Sequence, residues 1–406
     1  MAYSLFEVYG VEMEYMIVDQ ATLSVKAVAD ELLRKMAGQW VGDYENGTID
    51  WSNELVNHVL EIKTHKPEAS LSGLDNHFHT NIQEINRQLE SLGAMLLPTG
   101  AHPLMDPFTE TRLWEHEASE IYNLYNRIFD CRGHGWSNLQ STHINLPFSG
   151  DEEFKKLHAA IRLLLPIIPA LSASTPILDG KFSGYLDTRL ETYRHNQKKI
   201  PVIAGKVIPE RVFSKQAYYE QIFNPISKAI APYDTEGVLD KHFLNSRGAI
   251  ARFDRGAIEI RIIDIQECPL ADIAILSIIC ECIKALVNQQ WASIDEQTAW
   301  SEDSLAAIFL EVIRSGENTV ISNQQYLQLF GLQQTSAQAR ELWQHLLEKV
   351  SSGLEAPYIA VVEKLLKQGS LSSRILSSLN KDYRPEAIRE VYRQLSLCLQ
   401  NNQLFI

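Results

Sequence analysis

Apolar residues recur along this chain at two spacings. Residues 74 to 92 place Phe78, Ile82, Ile85, Leu89 and Leu92 at steps of three and four, the period of a helix with one buried face. Residues 111 to 131, 152 to 173, 214 to 230 and 270 to 290 repeat that pattern, while 93 to 101, 136 to 147 and 249 to 265 read as strands. The run from Glu7 to Asp19 is strand-like as well. After about residue 291 only helical spacing remains, at Leu305 to Ser315, Gln338 to Val350, Tyr358 to Lys367 and Glu386 to Leu399. Strands mixed with helices, followed by helices alone, predict an α+β chain. Its largely antiparallel sheet carries helices on the outer face and leaves a polar face for a site. Residues 1 to 290 then form a catalytic domain, and 291 to 406 a helical region packed on that core and offering an oligomer surface.

Polar residues interrupt the strand runs at particular places. Glu12 and Glu14 stand two apart in Gly10-Val11-Glu12-Met13-Glu14-Tyr15, and in an extended strand such residues share a face about 7 Å apart. Two anions there resist burial unless a cation lies between them. The alternative is the solvated face of an edge strand. Three further segments add ligand types: Glu54 and Glu61 around the run Val59 to Thr64, His143 between Ser141 and Asn145, and Glu259 beside Arg261 in Ala257 to Asp264. Carboxylates with one imidazole suit Mg²⁺ or Mn²⁺ rather than a thiolate zinc site.

Composition narrows the class. A length of 406 residues allows one large core with an accessory region, and a net charge of -14 disfavours nucleic acid as a partner. Five cysteines, an odd number with no CxxC pair, fit reduced thiols in a cytoplasmic setting. No basic, apolar leader opens the sequence, and charged residues or prolines break each apolar run, so no membrane span is expected. Neither GxxxxGK[ST] nor GxGxxG occurs. A nucleotide would therefore need metal ions and arginines to hold its phosphates, and Arg189, Arg252, Arg255 and Arg261 are the candidates.

Taken with Gly100-Ala101-His102-Pro103 and Gln140-Ser141-Thr142-His143-Ile144-Asn145, these segments resemble the glutamate–cysteine ligase type 2 family of bacterial carboxylate-amine ligases, in the glutamine synthetase superfamily. The likeness covers roughly residues 6 to 290. Two positions depart from the family pattern: Met13 stands where an acid is common, and the His143 segment lacks the second His of many members. The resemblance implies a curved, glutamine synthetase-like sheet and an ATP-dependent ligase. That enzyme activates a glutamate-like carboxylate as an acyl phosphate and joins it to an amine such as cysteine. It implies Mg²⁺ (or Mn²⁺) held by Glu12, Glu14, Glu54, Glu61, His143 and Glu259, with Asn145, Arg252 and Arg255 toward ATP and Arg261 and Arg189 in catalysis. Loops Leu104 to Arg112 and Asp179 to Thr192 are expected to shape the acceptor pocket. Competing readings are an ATP-dependent phosphotransferase acting on a guanidino or amine group, a metal-dependent amide hydrolase, and a catalytically silent binding protein.

Overall fold

The computed structural model describes residues 3 to 406. Its centre is an eight-stranded antiparallel sheet of β1 (Gly10–Asp19), β2 (Asp43–Tyr44), β3 (Ile49–Asn53), β4 (Val59–Thr64), β5 (Ala94–Leu97), β6 (Ser141–Pro147), β7 (Ala249–Arg252) and β8 (Ala257–Asp264). The strand order is β2-β3-β4-β1-β6-β8-β7, and β5 pairs with the last residues of β1. β1 is therefore a central strand, not an edge, so its two acids cannot simply face bulk water from the rim of the sheet.

Alternation along β1 divides the molecule. Val11, Met13, Tyr15 and Ile17 enter the main apolar core, together with Phe78, Ile82, Ile85 and Leu89 of α2 (Leu74–Glu90), after α1 (Ala29–Ala37) in the chain. Met13 thus points away from the acid-bearing face. The helical layer continues, past α3 (Ser119–Phe129), with α4 (Gly150–Leu164) and α5 (Pro269–Val287), which pack on one another. α5 is apolar on nearly every side and buried almost throughout, as a helix enclosed by other helices must be.

Helices α6 (Glu302–Ser315), α7 (Ala339–Val350) and α8 (Ala356–Gln368) join the same core. α9 (Leu371–Leu379) and α10 (Pro385–Asn401) instead cover the opposite sheet face, where Met16, Val18 and Leu97 meet Leu371, Ile375, Ile388 and Leu395. One face of β1 is consequently acidic at Glu12 and Glu14 and apolar at Met16 and Val18. The C-terminal helices seal the apolar end and leave the acidic end open.

The helix expected over 111 to 131 is shorter. Residues 112 to 114 pair with residues 55 to 57, where Trp114 N–H donates to the Leu55 carbonyl and Asn57 N–H to that of Arg112, a turn follows at 116 to 118, and α3 starts only at Ser119. Backbone pairing and burial of Trp114 outweigh the apolar spacing there.

Candidate active site

Strand register assembles the site. Across the sheet, Glu14 lies opposite Glu61, Glu12 opposite both Lys63 and His143, and Glu259 opposite Asn145. Like charges directly opposite on neighbouring strands repel, and Glu14–Glu61 is such a pair. Glu12, Glu61 and His143 offer ligand atoms all within 4.8 Å of one another, and Glu14, Glu54 and Glu61 form a second such group. Glu61 belongs to both.

Second partners hold these carboxylates in place. Ser141 donates to Glu14 Oε2 from its backbone N–H at 2.8 Å and from its hydroxyl at 3.1 Å. His143 Nδ1 lies 3.1 Å from Glu12 Oε2, and Asn145 Nδ2 donates to Glu12 Oε1 at 3.0 Å. The Asn145 amide thus orients a carboxylate. Gly10 makes room for it, since a Cβ there would stand 3.2 Å from that of Asn145. On the far side, Ser52 donates to Glu61 Oε1 at 2.9 Å, and Lys63 Nζ stands 3.2 Å from the same oxygen and 3.0 Å from Asp43.

The charges do not cancel locally. Burial, Glu12 and Glu14 push the Glu61 carboxyl up to about 7, and burial with Glu61 and Glu14 raises Glu54 well above its ordinary value. Burial alone would also raise Glu12, yet the hydrogen bond and charge of His143, helped by Lys63 and Arg261, hold it at about 2. Crowded carboxylates that resist ionising together, grouped with one imidazole at ligand spacing, are a donor set suited to a hard divalent cation.

Glu259 lies outside both groups but lines the same cavity, and its oxygens face Arg252 Nε and Arg261 Nε, each at 3.1 Å. The Arg261 Nε contact lacks hydrogen-bond alignment, so that buried nitrogen is charge-paired with Glu259 without being hydrogen-bonded to it. Arg261 also sits where β8 slips against β6 between Ile260 and Ile263, a bulge of the kind that re-aims a side chain beside a site.

Arg189 differs from expectation. Its Nε donates to the fully buried Asp264 at 2.5 Å and its Nη2 to the Arg261 carbonyl at 3.2 Å, an anchoring role beneath the bulge. Arg255 is exposed at the rim, and Arg252 stacks its guanidinium 5.0 Å from the Phe243 ring. His102, of the Gly100–Pro103 motif, is buried and bonds the Leu23 carbonyl, a structural role.

The site opens into two lobes. A polar lobe of about 630 Å³ contains Lys63, Arg252 and Arg255 along with Glu12, Glu61, Asn145 and Glu259. An apolar lobe of about 430 Å³ is walled by Tyr122, Tyr125, Trp136 and Tyr193. Glu14, Glu54, His143 and Arg261 border both. Apart from Arg189, neither loop expected to shape the acceptor pocket lines the apolar lobe, which is built instead from α3, the segment after it and residues 193 to 197 and 238 to 246. Lys63 was legible two residues after Glu61; the aromatic wall carried no signal beyond helical spacing.

An antiparallel sheet backed by helices turns clustered carboxylates and arginines toward a cavity. The chain matches the model of glutamate–cysteine ligase family 2 over residues 8–394 and belongs to that family. An uncharacterized protein of Archaeoglobus fulgidus is 32% identical over 397 residues, covering 98% of this chain and all of that one. A provisionally named glutamate–cysteine ligase 2-3 of Rubrobacter xylanophilus is 25% identical over 79% of this chain and 82% of its own length. The crystal structure of the prokaryotic ubiquitin-like protein Pup with its ligase PafA is similar at a TM-score of 0.46 and 13% identity, covering 97% of this chain and 70% of that one. Among the described residues, no helix is long and apolar enough to cross a membrane.

Proposed function

We propose that the protein is an ATP- and Mg²⁺ (or Mn²⁺)-dependent ligase that joins a glutamate-like carboxylate to an amine through an acyl phosphate. The observation carrying this reading is the pair of carboxylate groups sharing Glu61, with Arg261 on their border. Glu12, Glu61 and His143 would hold one ion and Glu14, Glu54 and Glu61 another, supplying charge neutralisation for a triphosphate. Lys63, Arg252 and Arg255 make the polar lobe the place for phosphates.

In the first half-reaction a substrate carboxylate oxygen takes the γ-phosphoryl group and ADP leaves. Arg261 faces the charge that develops on that group. In the second, the amine nitrogen attacks the acyl carbon, inorganic phosphate departs with the C–O bond electrons, and the nitrogen loses a proton. No enzyme nucleophile is required.

The test is incubation with ATP, Mg²⁺, glutamate and a set of amines including cysteine, the amine in the family's name. ADP, phosphate and amide should form in equal amounts. Amide cleavage without nucleotide would overturn the reading in favour of a hydrolase.

A further inference from the structure

The two lobes differ in chemistry as well as in size. The polar lobe holds Lys63, Arg252 and Arg255 among its carboxylates, whereas the second is walled by aromatic rings. Trp136 lies 5.4 Å from Tyr125 and 5.3 Å from Phe129, ring centre to ring centre, so a packed aromatic cluster of α3 backs the wall. Next to Trp136, the Asn196 amide donates to the Gly135 carbonyl, and a Cβ at Gly135 would collide with the Asn196 side chain. A volume of about 430 Å³ is several times that of a cysteine and falls in the range, about 300 to 1,000 Å³, of sites that enclose small organic molecules.

The polar lining of this lobe mixes carboxylates with two arginines and several hydroxyls and amides. Glu14 and Glu54 stand at its neck. Gln197, only 3% exposed, donates its amide to Ser246 but leaves Oε1 with no partner among the described residues. Of the two arginines that border it, Arg189 is already paired with Asp264 and Arg261 faces Glu259. Aromatic faces and the unpartnered Gln197 oxygen suit an ammonium group with an apolar body.

We propose that the apolar lobe binds the amine substrate, and that this amine carries a flat apolar group of the size of a phenethyl or indolylethyl chain, making cysteine a poor acceptor. The inference rests on the ligase reading for its chemistry, but the binding itself does not. The amine nitrogen sits at the neck beside Arg261 and the acyl carbon, and the apolar body lies against Trp136 and Tyr125.

Calorimetric binding of phenethylamine, tryptamine and cysteine to the full chain tests it, alongside amide formation from glutamate and ATP with the same three amines. The aromatic amines should bind at least about tenfold more tightly than cysteine, on the scale of a desolvated ring contact. Trp136→Ala should lose about that factor, with Trp136→Phe retaining most of it at an unchanged melting temperature. Cysteine binding as tightly as the aromatic amines, or aromatic-amine binding that Trp136→Ala leaves unaltered, overturns the proposal. If aromatic amines bind and no amine yields an amide, the lobe assignment stands and the ligase reading fails. Amide from cysteine with no binding of either aromatic amine sinks the lobe assignment alone.

Discussion

Glu12 and His143 face one another from adjacent strands, with Nδ1 3.1 Å from Oε2. A carboxylate only accepts, so the ring nitrogen donates. Burial by itself would lower His143, but the Glu12 hydrogen bond and the charges of Glu14 and Glu12 raise it above its ordinary value. The pair is a charged bridge that secures one acid in its ionised form while Glu61, a strand away, stays near neutrality.

That asymmetry sets a pH dependence. An acid whose folded value lies above its unfolded one keeps its proton in the folded state across the interval between them, so stability falls as pH rises through it. For Glu61 the interval runs from 4.5 to about 7. The metal-free protein should therefore lose stability as pH climbs through that window, by at most about 3–4 kcal/mol at about 1.4 kcal/mol per unit. Urea unfolding at pH 5 and pH 7.5 checks the sign. Mg²⁺ affinity should rise over the same window and then level off, because binding displaces the proton. A flat profile would remove Glu61 from the metal group.

Glu61→Gln should keep the fold, and the metal-free variant should melt no lower than the parent, since repulsion from Glu14 disappears. Metal-supported ATP turnover should drop by about 10²-fold or more, on the scale of a lost electrostatic contact at a reacting centre. An unchanged rate at saturating Mg²⁺ would show that neither carboxylate group needs Glu61.

Arg261→Lys keeps the charge but not the forked donor geometry. If Arg261 acts on the transferring phosphoryl group, kcat should fall about 10²-fold while ATP binding changes little. Should it merely neutralise Glu259, the variant would melt lower with near-normal kcat per folded molecule, and both quantities can be read on one preparation.

Arg189→Met should behave differently. It strands Asp264, a fully buried carboxylate that otherwise receives the Arg189 guanidinium, at a cost of about 3–5 kcal/mol. Denaturant midpoints test this. A variant of parental stability with lost activity would return Arg189 to a direct role in the chemistry.

Much of the site was legible along the chain because strand alternation is local. Glu12 and Glu14 share a face, as do Ser141, His143 and Asn145, and Met13 turns inward, all from a period of two. The long helices α2, α5, α8 and α10 followed from apolar spacing for the same reason. What spacing cannot supply is register, which depends on which strands meet. That Glu14 faces Glu61, so that one carboxylate serves two groups, is settled only by the pairing of β1 with β4.

The shortfalls have the same origin. β3, only five residues long, and α1 and α9, nine residues each, leave too few periods to read. Arg189 looked free in sequence because Asp264 lies 75 residues away along the chain, and the pairing of Glu259 with Arg252 was hidden because Arg252 returns to it only through the β7–β8 hairpin. The apolar lobe is assembled from α3 and from segments near residues 193 and 240, so its aromatic lining is a product of chain crossings. By itself the sequence determined the residue types, their faces and the family. The tertiary structure decided which charges neutralise each other and which remain to bind a ligand, because Coulomb and packing energies depend on distances through space.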